Sequence, residues 1–270
     1  MPTRRILAVL ALGLCAPGGA RADEAEAKEK RVENARGVVA AVVEAAEANR
    51  RLPERKDTEG RGPFRRAGDD LTVYYVRTAA TAARRLPAEQ AAPAFLMGVG
   101  IALDDSNLLR ENLLTGALWR RIEPAEARRR RLRVMGEPTL HGRHDLAQHF
   151  AVSAALTAAA GAEAAEGAGI LKEMLDARAG GSGFSFADLS ADFAGIAFAR
   201  RLLDKPERLA DVEKGFTIAD YALSPKGLPE GLSAAEFARQ YGSIKDERFL
   251  RMQRDLRKRI EAQPGYQEKK

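Results

Sequence analysis

The chain has 270 residues, of which 45% are hydrophobic and 6% aromatic, and its formal net charge is +6. Abundant alanine and scarce aromatic residues favour closely packed helices over a β-sandwich, because strands prefer β-branched and aromatic residues. The positive charge suggests a polyanionic partner, but acidic residues are interspersed along the chain and no aromatic stacking motif accompanies the charge. We therefore expect no nucleic-acid binding.

Residues 1–22 have the layout of a secretory signal peptide. Arg4 and Arg5 precede a short apolar run, residues 6–15, and Ala20-Arg21-Ala22 fits the small-x-small cleavage box. The apolar run is too short to span a bilayer. We expect cleavage after Ala22, which lowers the formal charge from +6 to +3, and a periplasmic or secreted location.

The single cysteine, Cys15, lies within this leader segment. Lipid attachment at Cys15 would require a small residue just before it, and Leu14 is not small. Cleavage after Ala22 is therefore favoured over lipidation. The mature protein then lacks cysteine, and with it disulfides and thiolate metal ligands.

The remaining chain is predicted to be all-α, a bundle-like succession of helices interrupted by glycine and proline. An N-terminal helix and a charged, proline- and glycine-containing linker occupy residues 23–68, a helical domain residues 69–262, and a flexible tail residues 263–270. Within the domain we predict helices over 69–86, 91–103, 108–122, 216–223 and 245–262, one beginning at Ala234, and three within 143–200. Ser233 and Glu236 have the spacing of a capping box.

Four consecutive arginines lie on a further predicted helix: Arg128, Arg129, Arg130 and Arg131. Short basic runs of this kind are common on solvated helix faces. The alternative is a contact with an anionic envelope surface, which would make these residues a partner-binding patch.

The central stretch, 143–200, contains polar residues at helical spacing within otherwise small and apolar sequence. The pairs that share a helix face are Asp145 with His149, Glu173 with Asp176, and Asp188 with Asp192. Ser185 is placed to cap the third helix, and Gly169 and Gly195 would let these helices approach closely. We therefore expect the three polar faces to meet in one pocket.

A meeting of these faces would gather one imidazole and several carboxylates, a set suited to a divalent metal or to acid–base chemistry. The candidate metal ligands are His149, Asp145, Asp176 and Asp192, and the candidate catalytic bases are Glu173 and Asp188. The alternative is a hydrogen-bonded network that ties the helices together, with Lys172 or Arg178 supplying the balancing cation. The cofactor is therefore open, a divalent metal being one possibility.

Other site motifs are missing from the sequence. The chain has no glycine-rich phosphate loop, no nucleophile elbow and no His-Glu-x-x-His zinc motif. His141 and His144 precede or open the first central helix, and we do not expect them to join His149 in a three-histidine site.

The order of the central motifs resembles the YfiM-like family of small periplasmic lipoproteins and is more distantly similar to VanZ-like membrane proteins. The matching pattern is Asp145-x3-His149, then Lys172-Glu173-x2-Asp176, then Gly183-Phe184-Ser185-x2-Asp188-x3-Asp192-x2-Gly195. The resemblance covers roughly a fifth of the chain. It implies a cell-envelope protein with a helical core, and it implies no established activity.

The sequence therefore predicts an exported cell-envelope helical protein whose polar cluster is a structural or binding site. The alternative is a metal-assisted envelope hydrolase that uses His149, Glu173, Asp188 and Asp192. Whether the chain is an enzyme is left open at this point.

Overall fold

The computed structural model describes residues 18–54, 63–111, 115–178 and 180–268. Most of the predicted signal peptide, including Cys15, lies outside these ranges, as does the middle of the predicted linker. The described chain is one compact helical domain, so the all-α prediction is confirmed. Within these ranges there is no strand, only three isolated β-bridges.

The helices of the described ranges are labelled in chain order. They are α1 (Gly18–Arg50), α2 (Gly68–Ala83), α3 (Ala88–Leu103), α4 (Leu108–Glu111), α5 (Gly116–Ile122), α6 (Ala125–Val134), α7 (His144–Ala160), α8 (Ala162–Asp176), α9 (Phe186–Asp204), α10 (Leu209–Gly215), α11 (Ile218–Tyr221), α12 (Ala234–Tyr241) and α13 (Glu247–Glu261). Short 3-10 turns follow α9 and α13, at Pro206–Arg208 and Pro264–Tyr266.

Helix α7 lies at the centre of the domain. It packs most extensively against α9 and α3, while α1 covers α3 and α8 lies across α7 and α9. Phe150 of α7 and Phe95 of α3 both contact the ring of Phe198 on α9, with centroid distances of 5.3 Å and 6.0 Å. The central helices are therefore joined by an aromatic cluster in a core otherwise rich in alanine.

Glycine allows the central helices to approach closely. A Cβ at Gly195 would lie 2.1 Å from the backbone oxygen of Phe150, and one at Gly100 would lie 2.2 Å from the Cβ of Ala155. Both distances are far shorter than a normal van der Waals contact, so the backbones of α9 and α3 lie close to that of α7. The predicted role of Gly195 in close helix packing is confirmed.

Replacing Gly195 by alanine is expected to lower the free energy of unfolding by about 1–3 kcal/mol, because the new methyl group would push two packed backbones apart. Gly167 on α8 is the matched control, since nothing lies within 4 Å of a Cβ at that position. Gly167→Ala should stabilise the protein by about 0.5–1 kcal/mol, through the lower backbone entropy of the unfolded chain. Urea unfolding of both variants would measure the two changes in the free energy of unfolding, which should have opposite signs. Equal changes would contradict the close approach at Gly195.

One predicted element differs from the structure. The single helix predicted over 108–122 is wrong: α4 ends at Glu111, and α5 begins at Gly116. A Cβ at Gly116 would lie 2.5 Å from the carbonyl oxygen of Arg110, so the first residue of α5 has no room for a side chain. Part of the tail predicted over 263–270 is described: Pro264–Tyr266 forms a 3-10 turn, and Tyr266 Oη donates to the carbonyl oxygens of Ala194 and Tyr221 at 3.0 and 2.9 Å. Residues 269–270 lie outside the described ranges.

The four arginines do not form one solvated or anion-binding face. Arg131 is buried: its Nε and Nη2 donate to the two carboxylate oxygens of Glu123 at 2.6 and 3.1 Å. Arg128 donates to the carbonyl oxygens of Asp105 and Ser106, and Arg130 pairs with Glu47. The predicted patch is corrected, because the 3.6-residue period turns Arg131 inward while Arg129 and Arg130 stay exposed.

Within the described residues, no helix is both apolar and long enough to cross a bilayer.

Candidate functional site

Helices α7, α8 and α9 bring their polar residues together. Ser185 caps α9, accepting a hydrogen bond from the Asp188 backbone N–H at 3.1 Å, as the sequence predicted. The backbone N–H of Ser185 in turn donates to Glu173 Oε2 on α8 at 2.9 Å. The N-terminus of α9 is thereby tied to α8, which fixes the carboxylates of both helices next to α7.

His149 of α7 is oriented by Asp192 of α9. The imidazole Nδ1 lies 3.0 Å from Asp192 Oδ1, and Ser153 Oγ donates to the same oxygen at 2.6 Å. Because an ionised carboxylate only accepts hydrogen bonds, Nδ1 carries a proton. The other ring nitrogen, Nε2, lies 3.5 Å from Asp188 Oδ2. When His149 is neutral these two atoms are both acceptors, so the pair requires a proton or a cation between them.

Gly169 lets α8 lie directly against Asp192. A Cβ at Gly169 would come within 2.6 Å of Asp192 Oδ2, so the predicted close approach of α8 is confirmed. That oxygen is buried and has no hydrogen-bond partner among the described residues. A cavity of about 90 Å³ lies alongside, lined by polar residues that include Ser153 and Lys172 and by an apolar wall.

Three of the predicted site residues form a potential metal-binding group. One ligand atom from each of His149, Glu173 and Asp188 lies within 4.8 Å of the other two. One imidazole and two carboxylates suit divalent ions such as Zn²⁺ and Mn²⁺, whereas Ca²⁺ takes six to eight oxygen ligands. The hydrogen bond from His149 Nδ1 to Asp192 is the outer-shell contact that metal-binding histidines usually make.

Two cations lie around this group. Lys172 Nζ lies 2.9 Å from Glu173 Oε1, 2.8 Å from Asp176 Oδ2 and 4.0 Å from Asp188 Oδ2. On the opposite side, Arg143 Nη2 lies 3.1 Å from Asp188 Oδ1 and 2.5 Å from Asp145 Oδ2. Asp145 and Asp176, both expected as metal ligands, are therefore ion-paired at the edges of the cluster. Asp192 lies behind His149.

Burial and charge perturb the cluster's pKa values. Burial alone would lower the pKa of His149, but the neighbouring Asp192 carboxylate outweighs it and the pKa is raised. Burial raises the pKa values of Glu173 and Asp188 despite the opposing effect of Lys172. The pKa of Lys172 is raised, since its carboxylate partners outweigh its burial. Burial is therefore the largest influence on the pKa values of the two carboxyl groups, whereas nearby carboxylates raise those of the two basic groups.

The other two histidines have separate partners, in agreement with expectation. His141 Nε2 lies 3.1 Å from the carbonyl oxygen of Ala222. His144 Nδ1 lies 2.8 Å from the carbonyl oxygen of Pro138, and its Nε2 lies 3.0 Å from Asp105 Oδ2. Neither residue is part of the group around His149. Arg178, considered as a balancing cation, is exposed.

Sequence reasoning did not assign a site role to Ser153 or Arg143. Ser153 lies four residues after His149, so the helical spacing that paired Asp145 with His149 also places Ser153 on the same face of α7. Arg143 directly precedes α7 and carries no comparable periodic signal, because its reach to α9 depends on the tertiary fold.

Comparisons of the chain with family models, with curated proteins and with solved structures gave no match. The resemblance to YfiM-like and VanZ-like proteins therefore stays a prediction.

Proposed function

We propose that this chain is an exported cell-envelope protein that binds a divalent transition-metal ion through His149, Glu173 and Asp188. The proposal is carried by the convergence of these three ligand atoms within 4.8 Å of one another. Two further features support it: Asp192 orients the imidazole so that Nε2 is directed at Asp188, and with a neutral imidazole that pair of acceptors needs a proton or a cation between them. The export of the chain rests on the sequence of residues 1–22 alone.

The opposing interpretation is a purely structural network in which Lys172 and Arg143 balance the carboxylates. It accounts for Asp145 and Asp176, which are held by these cations at half-exposed positions. It does not by itself explain why one ligand atom from each of His149, Glu173 and Asp188 lies within 4.8 Å of the other two. A metal ion would bind all three groups together.

Zinc binding tests the proposal. We expect isothermal titration of the purified chain with Zn²⁺ to show near-stoichiometric binding, and thermal unfolding to show a higher Tm, because a ligand of the folded state stabilises it. Glu173→Gln should weaken zinc binding by at least about tenfold, since it replaces a charged ligand by a neutral one of the same shape. The matched control is Glu163→Gln, an exposed position at the start of the same helix.

Unchanged affinity in Glu173→Gln, or a loss of equal size in Glu163→Gln, would contradict the assignment of Glu173. If the wild-type chain binds neither Zn²⁺ nor Mn²⁺, the network interpretation is the correct one.

A metal-assisted hydrolase is the second candidate function. Three protein ligands leave a coordination position that a water molecule can occupy, as in catalytic zinc sites. Zinc-dependent cleavage of a model phosphate or carboxylic ester, lost in Glu173→Gln and kept in Glu163→Gln, would favour the hydrolase over a binding protein without catalytic activity.

A further inference from the structure

Lys172 occupies the position from which a cation neutralises the cluster. Its ammonium group lies 2.9 Å from one oxygen of Glu173 and 4.0 Å from one oxygen of Asp188, two of the three groups that would bind the metal. The lysine and a metal ion would therefore share the same carboxylates.

We infer that Lys172 is a built-in competitor of the metal ion: its ammonium group binds the site carboxylates in the metal-free protein and is displaced toward Asp176 when a divalent ion enters. This inference rests on the proposed function. Its physical basis is the repulsion between two cations in a poorly solvated site, which weakens the binding of each in the presence of the other. The coupling is reciprocal: the bound metal weakens the ion pairs of Lys172 by the same free energy by which Lys172 weakens metal binding.

The structure provides a second position for the displaced ammonium group. Asp176 lies one helical turn after Lys172 on the same face of α8, and Lys172 Nζ is already 2.8 Å from its Oδ2. The Asp176 side chain is 31% exposed, whereas that of Glu173 is fully buried. A small outward movement of Nζ therefore keeps one ion pair and gains solvent while it leaves the other two carboxylates to the metal.

Helix α8 carries both the lysine and two of its carboxylate partners. Its fully buried positions are Ala165, Gly169 and Glu173, and Ile170 and Met174 are partly buried against the core. Its C-terminal half is held by these apolar side chains together with the polar contacts of the cluster. Occupancy of the site by lysine or by metal therefore bears directly on how α8 is held.

A lysine competitor explains why such a site can persist without its ion. The carboxylates stay paired in the metal-free state, so folding would not depend on the metal, in contrast to small zinc domains that unfold without it. Bound metal would also exchange more readily than from a site without a competitor. The inferred role is thus a reversible metal site.

Replacing Lys172 by methionine tests the inference, because methionine keeps most of the side-chain length and removes the charge. We expect the zinc affinity of Lys172→Met, measured by isothermal titration, to rise about tenfold over wild type. The control is Lys214→Met, which removes the same charge from an exposed position on α10 and should leave the affinity unchanged. An affinity in Lys172→Met that is equal to or below that of wild type would overturn the inference.

A second measurement uses the unaltered chain and so does not depend on the variant folding. Acylation of lysines by a water-soluble amine reagent, read by mass spectrometry, should be faster at Lys172 with Zn²⁺ than with EDTA and unchanged at Lys214. If zinc binds but neither the Lys172 acylation rate nor the Lys172→Met affinity changes, the inference fails and the proposed metal site stands. If zinc binds neither to wild type nor to Lys172→Met, both the proposed metal site and the inference are wrong.

Discussion

Replacing Arg131 by alanine is expected to lower the free energy of unfolding by about 3–5 kcal/mol, because the buried Glu123 carboxylate would keep only a longer contact, 3.7 Å, to Arg110 Nη1. The Arg131 side chain is 1% exposed and that of Glu123 is 2% exposed. The guanidinium group also donates to the carbonyl oxygens of Ala102 and Asp104, at 3.0 and 2.9 Å. One residue thus ties α6 to the C-terminal end of α3, and its loss would remove a hydrogen-bond donor from the Glu123 carboxylate and from both backbone carbonyls.

Two comparisons separate this loss from a general effect of removing an arginine. Arg129→Ala, at an exposed position on the same helix, should change stability by no more than about 0.5 kcal/mol. The double replacement Arg131→Met with Glu123→Leu should recover much of the stability, because well-packed apolar side chains often replace a buried ion pair without net cost. Urea unfolding with a common m-value would measure all three variants, and a cost for Arg131→Ala below that of Arg129→Ala would contradict the buried pair.

The arginine run shows which part of the fold local sequence could not predict. Four adjacent charges indicate a solvated face, and three of them are at least partly solvated. The inward position of Arg131 depends on where Glu123 and the end of α3 lie, and those contacts span sequence separations of up to 29 residues. Helical periodicity predicts that one residue of the run faces inward, but it does not predict that the buried carboxylate of Glu123 lies beside it.

In the candidate site, too, the sequence predicted some features and the tertiary fold decided others. Spacing along three helices predicted which polar residues share a face, because residues three or four apart lie on one side of a helix. That the faces with His149, Glu173 and Asp188 meet depends on how α7, α8 and α9 pack. Spacing could not separate Glu173 from Asp176, which share a face of α8. The rotation of the helix decides between them: Glu173 is directed at the Ser185 backbone N–H, while Asp176 lies half-exposed beside Lys172.

Replacing Asp192 by leucine is expected to lower the free energy of unfolding by about 2–4 kcal/mol, since His149 and Ser153 would both lose their buried acceptor. Asp192 is 2% exposed and accepts hydrogen bonds from both side chains through one oxygen. Asp204→Leu, at the exposed end of the same helix, is the matched control and should have an effect within about 0.5 kcal/mol. A neutral Asp192→Leu variant would mean that the cluster does not contribute to stability.

The cost of Asp192→Leu should also depend on pH, because the carboxylate raises the pKa of His149 while burial opposes it. In the wild-type protein the raised pKa gives a contribution to stability that is fully present below the unfolded-state pKa of about 6.5 and is lost as pH rises through the folded-state value. Without Asp192, burial and Lys172 disfavour the protonated imidazole while the Asp188 carboxylate, 3.5 Å from Nε2, still favours it, so the variant gains less from protonation at low pH. Urea unfolding in EDTA at two pH values, one above the raised pKa of His149 and one below about 6.5, should therefore show a larger difference between wild type and variant at the lower pH. A difference of equal size at both pH values would show that Asp192 acts on stability without acting through the charge of His149.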